Sequence, residues 1–158
     1  MKQFLLVALL ALYPLLSFAK STANLDKHGI ILSGYDPVSY FKRSAPVKGH
    51  PEFSLEQSGV KYLFSSAENL AEFKKSPEKY TPAYQGWCST AVLKNDKVKI
   101  DPLNYKISDG RLFLFYRTEG VAKWLYGDTK KVWEKGEPEN IKKADLNWTT
   151  LKDKESFQ

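Results

Sequence analysis

Cys88 is the single cysteine among 158 residues, and its thiol is the side chain in this sequence with the widest range of chemistry. With no second cysteine, the chain forms no internal disulfide, and Cys88 is left either as a small buried residue or as a thiol with a task. A thiol can bind soft metal ions, and it can also be oxidised to a sulfenic acid or a mixed disulfide. Cys88 is therefore a candidate ligand and, in the alternative interpretation, a candidate redox thiol.

Histidine and aspartate side chains could complete a metal site around that thiol. His50 lies between Gly49 and Pro51 in a predicted loop, and Asp36 opens the first of two Asp-Pro-x-x-Tyr copies. The candidate metal set is Cys88, His50 and Asp36, with copper or another soft metal as the ion. The sequence contains no His-x-His, Cys-x-x-Cys or His-Glu-x-x-His pattern that would fix two ligands locally. Such a site would depend wholly on the fold. The simpler interpretation is an exposed histidine and an aspartate that starts a helical turn.

Two β-hairpins and several short helices are predicted to position these residues. Residues 52–57 and 60–64 alternate apolar and polar side chains around Ser58-Gly59, which predicts the first hairpin. Asp109-Gly110 predicts a two-residue turn between 105–108 and 111–116. The second strand of that hairpin is apolar on both faces, which is typical of a strand covered on both sides.

Helix signals surround these hairpins. Ser65-Ser66-Ala67-Glu68 resembles a capping box and predicts a helix to about residue 75. Each Asp-Pro-x-x-Tyr copy, at 36–40 and 101–105, predicts one helical turn. Apolar residues recur from 121 to 148 at helical spacing and predict two short C-terminal helices. The fold class is therefore predicted as α+β, a small antiparallel sheet of hairpins packed with short helices in a single domain.

The first residues have the layout of a secretory signal peptide. Lys2 precedes an apolar run at 4–16, and the small residues Ser17 and Ala19 follow it. The run covers about 13 residues, whereas a membrane-spanning helix needs roughly 20. We expect cleavage after Ala19, a domain over 20–158 with its core at about 30–148, and a periplasmic or secreted location without a stable membrane anchor. An uncleaved membrane tether is the alternative.

Charge argues against a nucleic-acid partner. The chain holds 24 basic and 18 acidic residues, for a formal net charge of +6. The lysines are spread along the sequence, with pairs such as Lys74-Lys75 and no basic stripe. The expected partner is a metal ion or a small molecule, while protein partners stay open.

Several motifs together resemble the exported YHS-domain family, in the branch of YHS-domain (seleno)proteins. The resemblance rests on segments in order over nearly all of the chain after residue 19: 34–41, 46–53, 62–69, 77–80, 84–88, 107–114 and 142–148. It implies a link to heavy-metal handling, and relatives carrying cysteine or selenocysteine at the position of Cys88. Metal-associated members typically hold a cysteine after Asp-Pro-Val and a Cys-x3-Cys pair. The corresponding residues here are Ser39, Ser65 and Asn69.

The sequence therefore favours an exported, non-enzymatic YHS-domain protein that binds a metal ion or a small ligand near Cys88. One alternative is a thiol redox protein that uses Cys88 alone. A second alternative is a structural or interaction module of the cell envelope. No hydrolase signature surrounds the cysteine or the histidines, so a catalytic role is not expected.

Overall fold

The computed structural model describes residues 21–117 and 127–154. Its helices and strands follow in the order α1 (Ser39–Lys42), β1 (His50–Gln57), β2 (Val60–Phe64), α2 (Ala67–Lys75), α3 (Pro77–Tyr80), α4 (Ser89–Leu93), β3 (Asp101–Ser108), β4 (Arg111–Phe115), α5 (Thr129–Glu134) and α6 (Glu137–Leu151). Short 3₁₀ turns lie at Leu32–Gly34 and Ala83–Gly86. The predicted α+β class is confirmed, as one compact arrangement with two separate two-stranded antiparallel sheets. The predicted signal peptide lies outside the described residues.

Both predicted hairpins are present, and each turns on a residue pair with positive φ. The φ angles are 53° and 71° at Ser58-Gly59, and 50° and 72° at Asp109-Gly110. Two consecutive left-handed residues match the twist of the flanking strands, which is why such pairs dominate short hairpins. Strand β1 begins earlier than predicted, at His50, which pairs with Phe64 ahead of a register shift. The expectation that His50 lies in a loop is therefore wrong.

The two Asp-Pro-x-x-Tyr copies adopt different structures. The carboxylate of Asp36 accepts the backbone N–H of Val38 at 2.8 Å just before α1, as a helix-start aspartate should. Asp101 also accepts a backbone N–H two residues on, from Leu103 at 2.9 Å, but it begins strand β3. The helical turn predicted at the second copy is wrong, because pairing of β3 with β4 fixes that segment as a strand.

Strand β4 is the centre of the packing. Leu112 and Leu114 belong to a core cluster with the first hairpin and α2, whereas Phe113 and Phe115 belong to a second cluster. Trp133 of α5 contacts both phenylalanine rings, with centroids 5.3 Å and 5.8 Å away. The prediction of a strand covered on both sides is confirmed. Burial of each such side chain contributes roughly 1.5–3 kcal/mol.

The second C-terminal helix is longer than expected, while residues 121–126 of the predicted first one lie outside the described residues. Helix α5 is short, but α6 runs for 15 residues with Pro138 in its first turn, where a proline loses no hydrogen bond. The core also extends past the predicted limits, since buried Ala23 and Leu151 belong to its two clusters. Within 21–117 and 127–154, no helix is both long and apolar enough to span a membrane.

Candidate functional site

Cys88 lies between the 3₁₀ turn at Ala83–Gly86 and helix α4. Its backbone N–H donates to the carbonyl of Val98 at 3.0 Å, which ties the start of α4 to the segment leading into β3. The side chain is only 1% exposed. The fold therefore holds the thiol in the interior and fixes its backbone from two directions.

The thiol takes part in a closed ring of hydrogen bonds. The backbone N–H of Tyr116 donates to the sulfur at 3.3 Å, and the sulfur lies 3.6 Å from the Thr129 hydroxyl oxygen. That hydroxyl donates its own proton to the carbonyl of Tyr116 at 2.8 Å. The thiol must then be the donor toward Thr129, since the hydroxyl has a single proton. This arrangement fits a protonated thiol.

A pocket of about 560 Å³ opens beside Cys88. The wall combines this thiol, Tyr116 and the threonines 90 and 129 with apolar side chains from Ala91, Val98 and Val132. Exposed Lys94 and Asp96 line the pocket as well. Small-molecule sites typically have such a volume and a mainly apolar wall with a few polar groups. The arrangement can therefore hold a small organic molecule against the sulfur.

Helix α5 positions Thr129 through a cap that the sequence analysis missed. Asp128 accepts the backbone N–H of Lys130 at 3.0 Å and the side-chain amide of Asn104 at 2.8 Å. Burial raises the pKa of the Asp128 carboxyl, but these hydrogen bonds outweigh that effect and leave the pKa below its ordinary value. Asp before Thr at the start of a polar-apolar pattern is a helix N-cap signal and could have indicated this turn.

Asp36 is fully buried and its carboxylate is committed to the protein itself. One oxygen accepts the backbone N–H groups of Val38 and Ser39, at 2.8 Å and 3.4 Å. The other accepts the N–H and the hydroxyl of Ser65, at 2.9 Å and 2.6 Å, and the amide of Asn69 at 2.6 Å. All of these donors are backbone N–H groups or neutral side chains. The carboxylate therefore has a structural role that leaves little capacity for a metal ion.

The side chains of Ser39, Ser65 and Asn69 all bond to Asp36, the first at its backbone carbonyl and the other two at its carboxylate. Ser39 donates its hydroxyl to the Asp36 carbonyl at 2.6 Å and accepts the N–H of Val47 at 3.0 Å. Ser65 and Asn69 contact each other at 3.2 Å as well as Asp36. The predicted capping box begins at Ser65 and would make that residue the N-cap of α2. In the structure the N-cap is instead Ser66, which accepts the N–H of Asn69 at 3.2 Å.

The structure does not assemble the predicted metal ligands into one set. His50 is exposed at the start of β1, Asp36 is enclosed by its donors, and Cys88 faces its own pocket. In the described part of the chain, no group of three or more histidine, cysteine, aspartate or glutamate side chains is placed to hold a metal ion. A shared site of Cys88, His50 and Asp36 is therefore not supported.

Comparison with known proteins adds no relative. No protein-family model matches the chain, and neither a curated protein nor a solved structure matches it.

Proposed function

We propose that this chain is an exported, non-enzymatic binding protein that holds a small, mainly apolar molecule in the pocket beside Cys88. The observation that carries the proposal is the pocket of about 560 Å³ with the buried thiol in its wall. Apolar contacts from Ala91, Val98 and Val132 would supply affinity. The threonine hydroxyl oxygens, whose protons go to backbone carbonyls, would orient a donor group of the ligand.

A small organic ligand fits this wall better than a metal ion does. Cys88 is the one soft donor in the pocket wall, and the other polar groups there are hydroxyls, the Lys94 ammonium and the Asp96 carboxylate, which bind soft copper-like ions poorly. A protonated thiol is also a weak nucleophile, which favours binding over covalent catalysis.

Export and the resemblance to YHS-domain proteins are both consistent with this binding function. The first nineteen residues support export through their charge, apolar run and small residues. The contacts of Ser39, Ser65 and Asn69 with the buried Asp36 support the resemblance, since they place all three positions around one residue. The binding activity would then have moved to the Cys88 pocket.

A fluorescence titration with the neutral apolar probe N-phenylnaphthylamine tests the pocket. The wild type should bind the probe, and Ala91→Trp should weaken binding by about tenfold or more, because the indole fills space that the probe needs. Leu146→Trp is the matched control, since Leu146 is 69% exposed on α6 and outside the pocket wall.

Native mass spectrometry of the protein, purified from the exported fraction without chelators, completes the test. A bound mass that is retained by Leu146→Trp and lost from Ala91→Trp would identify the natural ligand. Equal probe binding by all three proteins, or no binding by the folded wild type, would contradict the proposal.

A further inference from the structure

The N-terminal residues 21–31, here called the strap, lie against the turn that precedes Cys88. Asn24 donates its backbone N–H to the carbonyl of Gln85 at 3.1 Å, and its side-chain amide to the carbonyl of Gly86 at 2.9 Å. The indole N–H of Trp87 donates to the carbonyl of Thr22 at 2.9 Å. The last two residues of the turn and Trp87, which follows it, are therefore bonded to the strap.

The bonded turn has an unfavourable backbone conformation. Tyr84 and Gln85 have φ angles of 53° and 52°, and Gly86 follows at 81°. Only the last of these is a residue without a Cβ penalty in the left-handed region. Consecutive non-glycine residues persist there only when surrounding contacts determine their conformation. The two bonds from Asn24 supply such contacts at Gln85 and Gly86.

Close packing strengthens the dependence of the turn on the strap. A Cβ atom on Gly86 would lie 3.4 Å from Ile31 and 3.8 Å from Asn24, so no side chain separates the two segments. Ala23 is buried beside them. Release of the strap would remove the Asn24 donors from the carbonyl groups of Gln85 and Gly86. Solvent could then reach the turn at the same place.

Trp87 connects this turn to the thiol. Its side chain is 1% exposed, its N–H is held by Thr22, and the next residue is Cys88. A turn that relaxed toward ordinary φ angles would move Trp87, which directly precedes the residue whose sulfur contacts Tyr116 and Thr129. The position of the thiol is therefore coupled to contacts on the opposite side of the turn.

We propose that the strap controls access to the Cys88 thiol: when docked it keeps the sulfur buried in the pocket wall, and when released it exposes the sulfur and reshapes that wall. A partner that captured segment 21–31 would therefore expose the thiol to solvent. The proposal concerns the same pocket as the proposed function, but its test follows the thiol and needs no ligand.

Thiol labelling of the folded protein tests the strap. The single cysteine reacts with a dithiobis-nitrobenzoate reagent, and the release of nitrothiobenzoate measures the exposure of Cys88 alone. Asn24→Ala and Trp87→Phe should each accelerate labelling by about tenfold, the effect of one lost hydrogen bond on a local opening equilibrium. The acceleration should be insensitive to low urea concentrations, as expected of local rather than global opening.

Trp133→Phe provides the matched control. It removes the indole N–H of the other fully buried tryptophan in the second core cluster, which donates to Glu137 at 3.2 Å and not to the strap. Labelling of this variant should follow its global stability and rise with urea. Unchanged labelling in Asn24→Ala, or equal acceleration in Trp87→Phe and Trp133→Phe at matched stability, would overturn the proposal. Loss of probe binding with retained strap-dependent labelling would instead contradict only the proposed function.

Discussion

The carboxylate of Asp36 and the side-chain amide of Asn69 meet at 2.6 Å in the interior, where Asp36 has no exposed surface. This contact joins the segment before α1 to helix α2, and Ser65 joins the same carboxylate from the end of β2. The buried charge is therefore a junction between three elements. Its donors are arranged for an ionised acceptor, and removal of that acceptor capacity would leave them unsatisfied.

Asp36→Asn should lower the free energy of unfolding by about 3 kcal/mol, because an amide nitrogen would face the donors of Ser65 and Asn69. Urea unfolding followed by tryptophan fluorescence measures the change. Asp26→Asn is the control, since its exposed Oδ1 accepts from His28 and Ile30 and an asparagine keeps that oxygen. A smaller loss in Asp36→Asn than in Asp26→Asn would contradict a structural role for the buried carboxylate.

Cysteines introduced at the junction should create a soft-metal site. The triple variant Ser39→Cys, Ser65→Cys and Asn69→Cys, made in a Cys88→Ser background, is expected to bind about one Cu(I) per chain, because three thiolates would converge where the present side chains contact Asp36. Competition titration with a Cu(I) chelator measures the affinity. The three single variants are the controls. A folded triple variant that binds no more tightly than they do would count against the resemblance to metal-associated YHS domains.

Local signals in the sequence predicted the elements that depend on local chemistry. Both hairpin turns, the helix ending before Ser76-Pro77 and the doubly covered strand β4 follow from turn residues, proline geometry and apolar pattern. The second Asp-Pro-x-x-Tyr copy was predicted wrongly, because its helical preference is local while its pairing with β4 is set by the tertiary fold.

The candidate site was predictable only in part. Cys88 was identifiable as the single thiol, but its partners Tyr116 and Thr129 lie 28 and 41 residues away along the chain. Neither the backbone N–H of Tyr116 nor the hydroxyl of Thr129 carries a sequence signal for such a contact. Asp36 was chosen as a metal-ligand candidate because its carboxylate oxygens can bind metal ions. The donors that occupy those oxygens come together only where α1, β2 and α2 meet, so the sequence alone does not reveal them.

Gly49→Ala should be among the most damaging small substitutions. A Cβ atom at this position would lie 2.4 Å from the backbone carbon of Leu63 and 2.6 Å from its oxygen, so strand β2 would have to move. We expect a loss of about 3 kcal/mol in unfolding free energy, measured by urea denaturation. Gly29→Ala separates this clash from backbone strain: it has a φ of 75° with no atom near the added Cβ, and should lose only about 1–2 kcal/mol. Equal losses would contradict the steric explanation.

Glu137 should make the stability of the second cluster depend on acid pH. Burial raises the pKa of this carboxyl, but hydrogen bonds from Lys106, Ser108 and Trp133 outweigh it and lower the pKa below the ordinary 4.5. A lowered folded-state pKa gives stability that is present above the unfolded value and lost as pH falls through the folded value.

Glu137→Gln should therefore lower the unfolding free energy by about 1–2 kcal/mol near neutral pH, and by much less once the wild-type carboxyl is protonated. Urea unfolding at several pH values from neutral to strongly acidic measures the difference. Glu139→Gln, on the exposed surface of α6, should show little change at any pH. A difference for Glu137→Gln that does not shrink on acidification would contradict the role of its charge.

The hydrogen-bond ring around Cys88 separates the binding proposal from the redox alternative. In the folded protein the sulfur accepts from Tyr116 and donates to Thr129, so the thiol form is held in place, whereas a thiolate would have no proton to donate and would face the Thr129 oxygen. Peroxide treatment followed by dimedone should therefore give little sulfenic acid adduct in the folded wild type, and much more in the same protein unfolded in urea.

Thr129→Val removes the acceptor of the thiol proton and should increase trapping of Cys88 by dimedone, because the thiol then loses the partner for its proton. Rapid adduct formation in the folded wild type would instead favour a redox function, since a buried thiol that reacts with peroxide must be activated by its surroundings.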